Sequence, residues 1–189
     1  TGVLVYTIDE RDDFSAHELE VRALFAVDAE ASAALWRFAI EHDLVGRVKA
    51  WLQPAVPPVQ WMVADRRAVT ATLTDHHWLR ILDVPGALAS RRYAGALDVV
   101  LRVADPLGFA EGTWRLRVGA DGEAVVTRAD ESEASEVELT VGALSSLLLG
   151  GVRSTELAHA GLVRAGADVL VSVDRAFTPE ATPLLDIWY

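Results

Sequence analysis

The chain has 189 residues, 51% of them hydrophobic, with a formal net charge of −11 and no cysteine. That length suits one large domain or two small ones, and the lack of cysteine excludes a disulfide framework, a thiol nucleophile and a zinc–thiolate site. The acidity argues against a general nucleic-acid binder, and no apolar run approaches the roughly 18 residues that would suggest a membrane span.

The opening Thr1-Gly2-Val3-Leu4-Val5-Tyr6 lacks the basic region of a signal peptide. A cytoplasmic protein is expected. Met62 is the sole methionine, and the chain opens inside a strand pattern. It is therefore expected to be part of a longer protein. Charge is uneven: residues 1–95 hold 13 acids and 10 bases, residues 96–189 hold 15 acids and 7 bases. A cationic small substrate would be drawn to the second part, although acidity also serves solubility.

Residues 2–8 form a short apolar run of the kind found in a buried strand. Asp9-Glu10-Arg11-Asp12-Asp13 reads as a solvated loop without metal-ligand spacing. Residues 18–26 alternate, with Leu19, Val21, Ala23 and Phe25 on one face. Asp28 caps a helix of about 14 residues. Ala31, Leu35, Phe38 and Ala39 lie on one face of it, with Trp36 and Ile40 beside them. Residues 45–52 read as a strand, broken by Pro54, Pro57 and Pro58. Residues 59–64 suggest a short helix, and 69–74 and 78–84 two further strands around Asp75-His76-His77. Adjacent histidines on a strand point to opposite faces, so the pair reads as a solvated turn and not a metal site.

Pro85 can open a helix at its first position, running to about Arg92. Past Gly95 the pattern changes. Residues 97–104 predict a strand and Asp105-Pro106-Leu107-Gly108 a turn. Residues 113–118 alternate Trp114, Leu116 and Val118 against Thr113, Arg115 and Arg117. Asp121-Gly122 is a hairpin signal because both positions tolerate positive φ. Residues 123–128 return as its partner, and 136–141 form a further strand. Helices follow at 143–149, 154–160 and 168–176, with Gly150-Gly151 and Gly161 as caps. Gly150-Gly151 precedes a helix, but Arg153 is the only nearby base that could support an anion site there. The second half thus predicts a small antiparallel sheet followed by helices, an α+β domain. The boundary falls near residue 95, giving units 1–94 and 95–189.

No Gly-x-Ser-x-Gly elbow, Walker loop or dinucleotide fingerprint occurs. The unusual stretch is the last, Pro183-Leu184-Leu185-Asp186-Ile187-Trp188-Tyr189. Chain ends are usually polar and frayed, whereas leaving this one in water costs about 25 cal/mol per Å² of apolar surface. The tail is expected to enter a groove, carrying the Tyr189 carboxylate with it. That carboxylate serves there either as part of an anchor or as a base.

Several stretches, in order, resemble the enhanced intracellular survival (Eis) acetyltransferases of actinobacteria. They are Ala34-Leu35-Trp36-Arg37-Phe38; Trp78-Leu79-Arg80-Ile81-Leu82-Asp83-Val84-Pro85 with Ala89-Ser90-Arg91-Arg92-Tyr93; Asp98-Val99-Val100-Leu101 with Asp105-Pro106; Gly112-Thr113-Trp114-Arg115-Leu116; and Leu147-Leu148-Leu149-Gly150-Gly151. Sixteen arginines to one lysine, Lys49, fit a high-GC bacterium.

The resemblance implies that residues 1–94 are the later part of a degenerate GNAT-like domain of mixed α/β type, and 95–189 a sterol-carrier-protein-like domain. It implies an acetyl-CoA-dependent N-acetyltransferase acting on amines of cationic, aminoglycoside-like small molecules or of lysine. Acetyl-CoA would bind an N-terminal domain outside this chain, which would also carry a tyrosine acting as general acid. No metal is implied, and no nucleic-acid or membrane partner. A homo-oligomer is implied, hexameric in the family. The family's C-terminal carboxylate acts as general base, which carries over to Tyr189, where Tyr stands in place of the family's frequent Phe. Trp188 and Asp186 are candidate substrate-binding residues. Two other functions stay open: a sterol-carrier-like lipid-binding module, and a purely structural or oligomerisation domain. A filled core between sheet and helices, built from Leu97, Val99, Leu101, Trp114, Leu116, Val118, Leu139, Leu147 and Leu170, is expected and would disfavour the lipid reading.

Overall fold

The computed structural model describes residues 1–13, 16–75 and 77–187. The chain forms two compact units: Thr1–Thr74 together with the tail from Leu184, and Asp75–Pro183.

In the first unit, β1 (Gly2–Asp9) pairs antiparallel with β2 (His17–Ala26), which pairs parallel with β3 (Val45–Ala50). Between β2 and β3 runs α1 (Ala29–Ile40). It starts where predicted because Asp28 stays extended and its carboxylate accepts from the Ala31 amide at 2.7 Å. Leu19, Val21, Trp36, Ala39 and Val59 form the core, flanked by Leu4, Tyr6 and Leu24.

Strict alternation in β2 does not hold. The β1 register runs from Gly2↔Ala26 to Val5↔Ala23 and resumes at Tyr6↔Val21, leaving Arg22 as a bulge. One extra residue exchanges the faces, so Leu24 joins Leu19 and Val21 at the core while Phe25 is 59% exposed. The inward face of α1 is likewise rotated: Trp36 and Ala39 are buried and Phe38 lies exposed. The short helix expected at 59–64 is a 3-10 turn, Pro58–Trp61. The strands expected at 69–74 and 78–84 are not formed; the described residues there enter no ladder, and Val84 already begins a helix. An apolar run does not by itself supply a partner for the backbone.

The second unit carries a five-stranded sheet in the order β6-β5-β4-β7-β8: β4 (Leu97–Ala104), β5 (Gly112–Val118), β6 (Ala124–Arg128), β7 (Val137–Thr140) and β8 (Val163–Ala165). β4, β5 and β6 form an antiparallel meander, turned at Asp121-Gly122, where Gly122 has φ 78. The sheet is mixed and not purely antiparallel, because β7 pairs parallel with β4. Glu136 clasps the start of that ladder. Its amide donates to the Val100 carbonyl at 3.0 Å and its carboxylate accepts from the Val100 amide at 3.1 Å. The three-residue β8 is too short for a sequence pattern to announce.

The helices are α2 (Val84–Ala89), α3 (Val141–Leu148), α4 (Ser154–His159) and α5 (Ala167–Phe177). With the sheet they enclose one core in which Leu88, Leu116 and Leu144 are fully buried. Eight of the nine residues expected inside are buried, and Leu170 is partly so. Ile81, Val84, Leu88 and Tyr93 also belong to this core, although they precede residue 95. The Ile81 amide donates to the buried Ser145 hydroxyl at 3.0 Å. Arg80 pairs with Asp105 at 2.5 Å.

Candidate functional site

The tail is exposed at Leu184, Asp186 and Ile187 and half-buried at Leu185. Trp188 and Tyr189, the other two candidate site residues, lie outside the described residues. What the structure defines closely is the place from which the tail departs.

α5 ends at Phe177, and its cap Thr178 closes the helix twice on the Asp174 carbonyl, through its amide at 2.9 Å and its hydroxyl at 2.7 Å. Arg91, just past α2, reaches this end. Its Nη2 donates to the Phe177 carbonyl at 2.7 Å. Its Nη1 donates to the Leu147 carbonyl at 3.3 Å and to the Leu148 carbonyl, at the end of α3. The guanidinium carbon sits 4.6 Å from the ring centroids of both Tyr93 and Phe177. Those two rings meet edge to face at 5.1 Å.

A cation among the last carbonyls of two helices is favoured by their partial negative charge and by the aromatic faces. Burial lowers the Arg91 pKa from its ordinary value, against a smaller opposing effect of Tyr93. An arginine stays charged regardless. Burial also pushes the Tyr93 hydroxyl well above its ordinary range, against the opposing effect of Arg91. That hydroxyl therefore stays protonated and donates to the Leu88 carbonyl at 2.8 Å.

Gly150 follows α3 with φ 76. A Cβ there would lie 2.3 Å from the Phe177 carbonyl oxygen and 2.5 Å from Pro179 Cδ. Only glycine fits both the left-handed backbone and this close approach. At Gly151 the equivalent atom would lie at ordinary contact, 3.6 Å from Pro183. The two prolines of the departing chain thus rest against the two glycines in turn. Sequence reasoning read Gly150-Gly151 as a helix cap in preference to an anion site, and it gave Arg91 no structural role. The carbonyl partners of Arg91 lie 56 to 86 residues away, and no local pattern reports such a distance.

Two shallow clefts of about 420 Å³ occur in the first unit, one beside Asp28, Glu30 and Leu35, the other beside Phe38, Glu41, His42 and Asp43. Carboxylates at both would repel the phosphates of acetyl-CoA. The chain also contains no Arg/Gln-x-x-Gly-x-Gly/Ala stretch to cradle them. Neither cleft therefore fits that co-substrate. Among them, no group of three His, Cys, Asp or Glu side chains is arranged to hold a metal ion, and no helix is long and apolar enough to cross a membrane.

A smaller α/β unit and a second unit with a mixed sheet and its helices define a two-part architecture with known counterparts. An acetyltransferase (GNAT) domain model matches residues 1–81, and a sterol carrier protein domain model matches residues 84–186. The second match takes in more than half of the chain, which belongs to the sterol carrier protein domain family.

Among curated proteins the chain is similar to N-acetyltransferase Eis of Mycobacterium tuberculosis (strain ATCC 25177 / H37Ra), 36% identical over 183 residues, which cover 95% of this chain and 43% of that protein. Among solved structures, Eis1 from Mycobacterium abscessus superposes with a TM-score of 0.82 at 30% identity, covering 100% of this chain and 48% of that one. A GCN5-related N-acetyltransferase from Kribbella flavida gives a TM-score of 0.68 at 30% identity, covering 100% and 46%. The chain is therefore Eis-like in fold and domain pairing, and it spans less than half the length of the curated relatives it matches.

Proposed function

We propose that this chain is the C-terminal portion of an Eis-like, acetyl-CoA-dependent N-acetyltransferase that acetylates amines of a cationic small molecule or of lysine. The observation that carries this reading is 36% identity across 95% of the chain to an N-acetyltransferase. In this reading acetyl-CoA is held by an N-terminal domain outside the chain, because the clefts described here are acidic and lack a phosphate loop. The intact enzyme is a cytoplasmic homo-oligomer.

This chain contributes scaffold, part of the substrate pocket and the Tyr189 carboxylate. An ammonium must lose a proton before its nitrogen can attack, and the carboxylate accepts that proton. A free α-carboxyl, with a pKa of about 3.5, is a poor base near neutrality. In this reading a dry cleft in the intact enzyme would supply the desolvation that makes a carboxyl more basic. Asp186 adds a negative charge for the substrate cation. The lipid-binding alternative needs an apolar tunnel, and Leu88, Leu116 and Leu144 occupy the space between sheet and helices where one would run. That supports the transferase reading.

Adding one or two glycines after Tyr189 tests the base directly, because it keeps every side chain and moves the charge by about 3.5 Å per residue. A base must lie within about 3 Å of its proton or one water away. Turnover by the intact enzyme should fall at least tenfold with little change in melting temperature. Full turnover from pH 6 to 9 in the extended enzyme would rule the carboxylate out as the base.

A further inference from the structure

Two stretches of the second unit, distant in sequence, are tied together by one ion pair. Arg80, ahead of α2, donates to the Asp105 carboxylate at 2.5 Å, in the loop between β4 and β5. Asp105 is buried, and its two oxygens also accept from the Leu107 and Ala110 amides of its own loop, each at 2.9 Å. The Ala110 carbonyl in turn accepts from the Trp114 indole at 3.2 Å. Next to Arg80, the Ile81 amide is anchored on Ser145. Both stretches are firmly held, yet they present large apolar side chains to solvent: Trp78 is 82% exposed, Leu107 65%, Phe109 64% and Leu82 58%. None stands more than four residues along the chain from Arg80 or Asp105. Single exposed apolar residues are ordinary. Four of them around one ion pair, beside a loop where polar residues are usual, make a patch.

We propose that Trp78, Leu82, Leu107 and Phe109 form the surface on which a second copy of this chain docks, patch against patch across a two-fold axis. The inference deepens the proposed function, to whose homo-oligomer it gives a surface, and it stands apart from the transfer chemistry. Area is the first argument. An aromatic side chain offers about 150–250 Å², so the four residues expose roughly 500–600 Å² together. Two such patches would remove about 1,000–1,200 Å² from water, the lower limit of a specific interface. Charge is the second. Copies of a chain with net charge −11 repel one another over most of their surface. At this patch the Asp105 carboxylate is matched by Arg80 of the same copy. A two-fold contact sets each patch on itself. Apolar side chains around an internally matched ion pair are complementary to themselves, as a patch of one sign is not. A loop already fixed by Asp105 also loses little freedom on docking.

Sedimentation velocity of the chain over a concentration series should show monomer in equilibrium with dimer. Phe109→Asp and Leu107→Asp each set a carboxylate against the other copy and should weaken association at least tenfold. Both side chains are exposed, so both variants should melt like the parent, and either carries the test if the other does not fold. Val125→Asp, at an equally exposed apolar side chain on β6, should associate like the parent. The chain has no cysteine, so Leu107→Cys provides one thiol per copy, and a short bismaleimide should join two copies covalently. A chain that stays monomeric throughout the series would overturn the proposal. A monomer that floats with phosphatidylcholine vesicles would do the same and assign the patch to a lipid surface. Association unchanged in both Asp variants would overturn the patch while leaving the oligomer of the proposed function on another surface.

Discussion

Ser154 and Asp174 join the start of α4 to the middle of α5: the Asp174 carboxylate accepts from the Ser154 amide at 2.5 Å and from its hydroxyl at 2.7 Å. Thr155 adds its hydroxyl at 2.6 Å. The N-cap of α4 is Arg153, which cannot accept a hydrogen bond, so an aspartate from another helix does the capping. Ser154 is 0% exposed; its hydroxyl also has the Leu170 carbonyl at 3.1 Å as an acceptor, whereas its amide would lose Asp174. Asp174→Ala should cost about 1–3 kcal/mol, the cost of a buried donor left unpaired. Asp174→Asn keeps one acceptor and should cost less than half as much. Urea denaturation midpoints at constant slope will show the difference.

Arg91 gives a second stability test. Arg91→Ala removes donors from the ends of α3 and α5 and uncovers the rings of Tyr93 and Phe177, so a loss of about 2–3 kcal/mol is expected. Arg91→Lys retains the charge but not the planar fork that reaches carbonyls of both helices, and should recover less than half. Thermal melts of both variants, read with tyrosine fluorescence, separate charge from geometry.

Asp105 sets a pH dependence. Its carboxylate accepts from the Ala110 and Leu107 amides, each at 2.9 Å, and pairs with Arg80. These hold its pKa below the ordinary aspartate value, the Ala110 amide most strongly. A depressed folded pKa gives stability that is fully present above the unfolded value of about 3.9 and is lost as pH falls through the folded value. Stability should therefore be flat in this group above about pH 5 and decline below about pH 4. Asp105→Asn should be less stable at pH 7 and show a shallower decline into acid. An unchanged acid slope in that variant would refute the assignment.

The bulge at Arg22 makes opposite predictions for adjacent residues. Simple alternation puts Phe25 in the core, and the structure puts Leu24 there. Leu24→Asp should therefore destabilise the first unit by more than about 2 kcal/mol, while Phe25→Asp should stay within about 0.5 kcal/mol, as surface changes do. Chemical denaturation followed by Trp36 emission would report both.

These cases mark what the sequence could and could not disclose. Asp28, Asp121-Gly122 and the Trp114, Leu116, Val118 alternation act through near neighbours, and each was legible. The Arg22 bulge was not, because it depends on how β1 pairs and leaves no mark in β2 alone. The parallel β4–β7 pair escaped for the same reason: local alternation is identical for either direction of partner. At the candidate site, the apolar tail was legible as an exception to the usual polar chain end. The cluster at the end of α5 was not, because Arg91, Gly150 and Pro179 come together only after α2, α3 and α5 have packed.

The parallel pairing of β7 with β4 also dictates an order of assembly. β4, β5 and β6 are neighbours in both sequence and space and can zip together through short turns. β7 has no such route: its place is the edge of β4 that the meander leaves open, and its ladder begins at the Glu136 clasp on Val100. Pairings between distant segments form slowly, since loop closure must precede any gain from contact. Refolding of the second unit should accordingly show a rapid meander phase and a slower phase in which β7, β8 and the last three helices arrive together. A ribosome releasing this chain would hold a meander whose β4 edge is bare until the residues beyond Arg128 emerge, and that interval is when the nascent protein is most exposed to pairing with a neighbour.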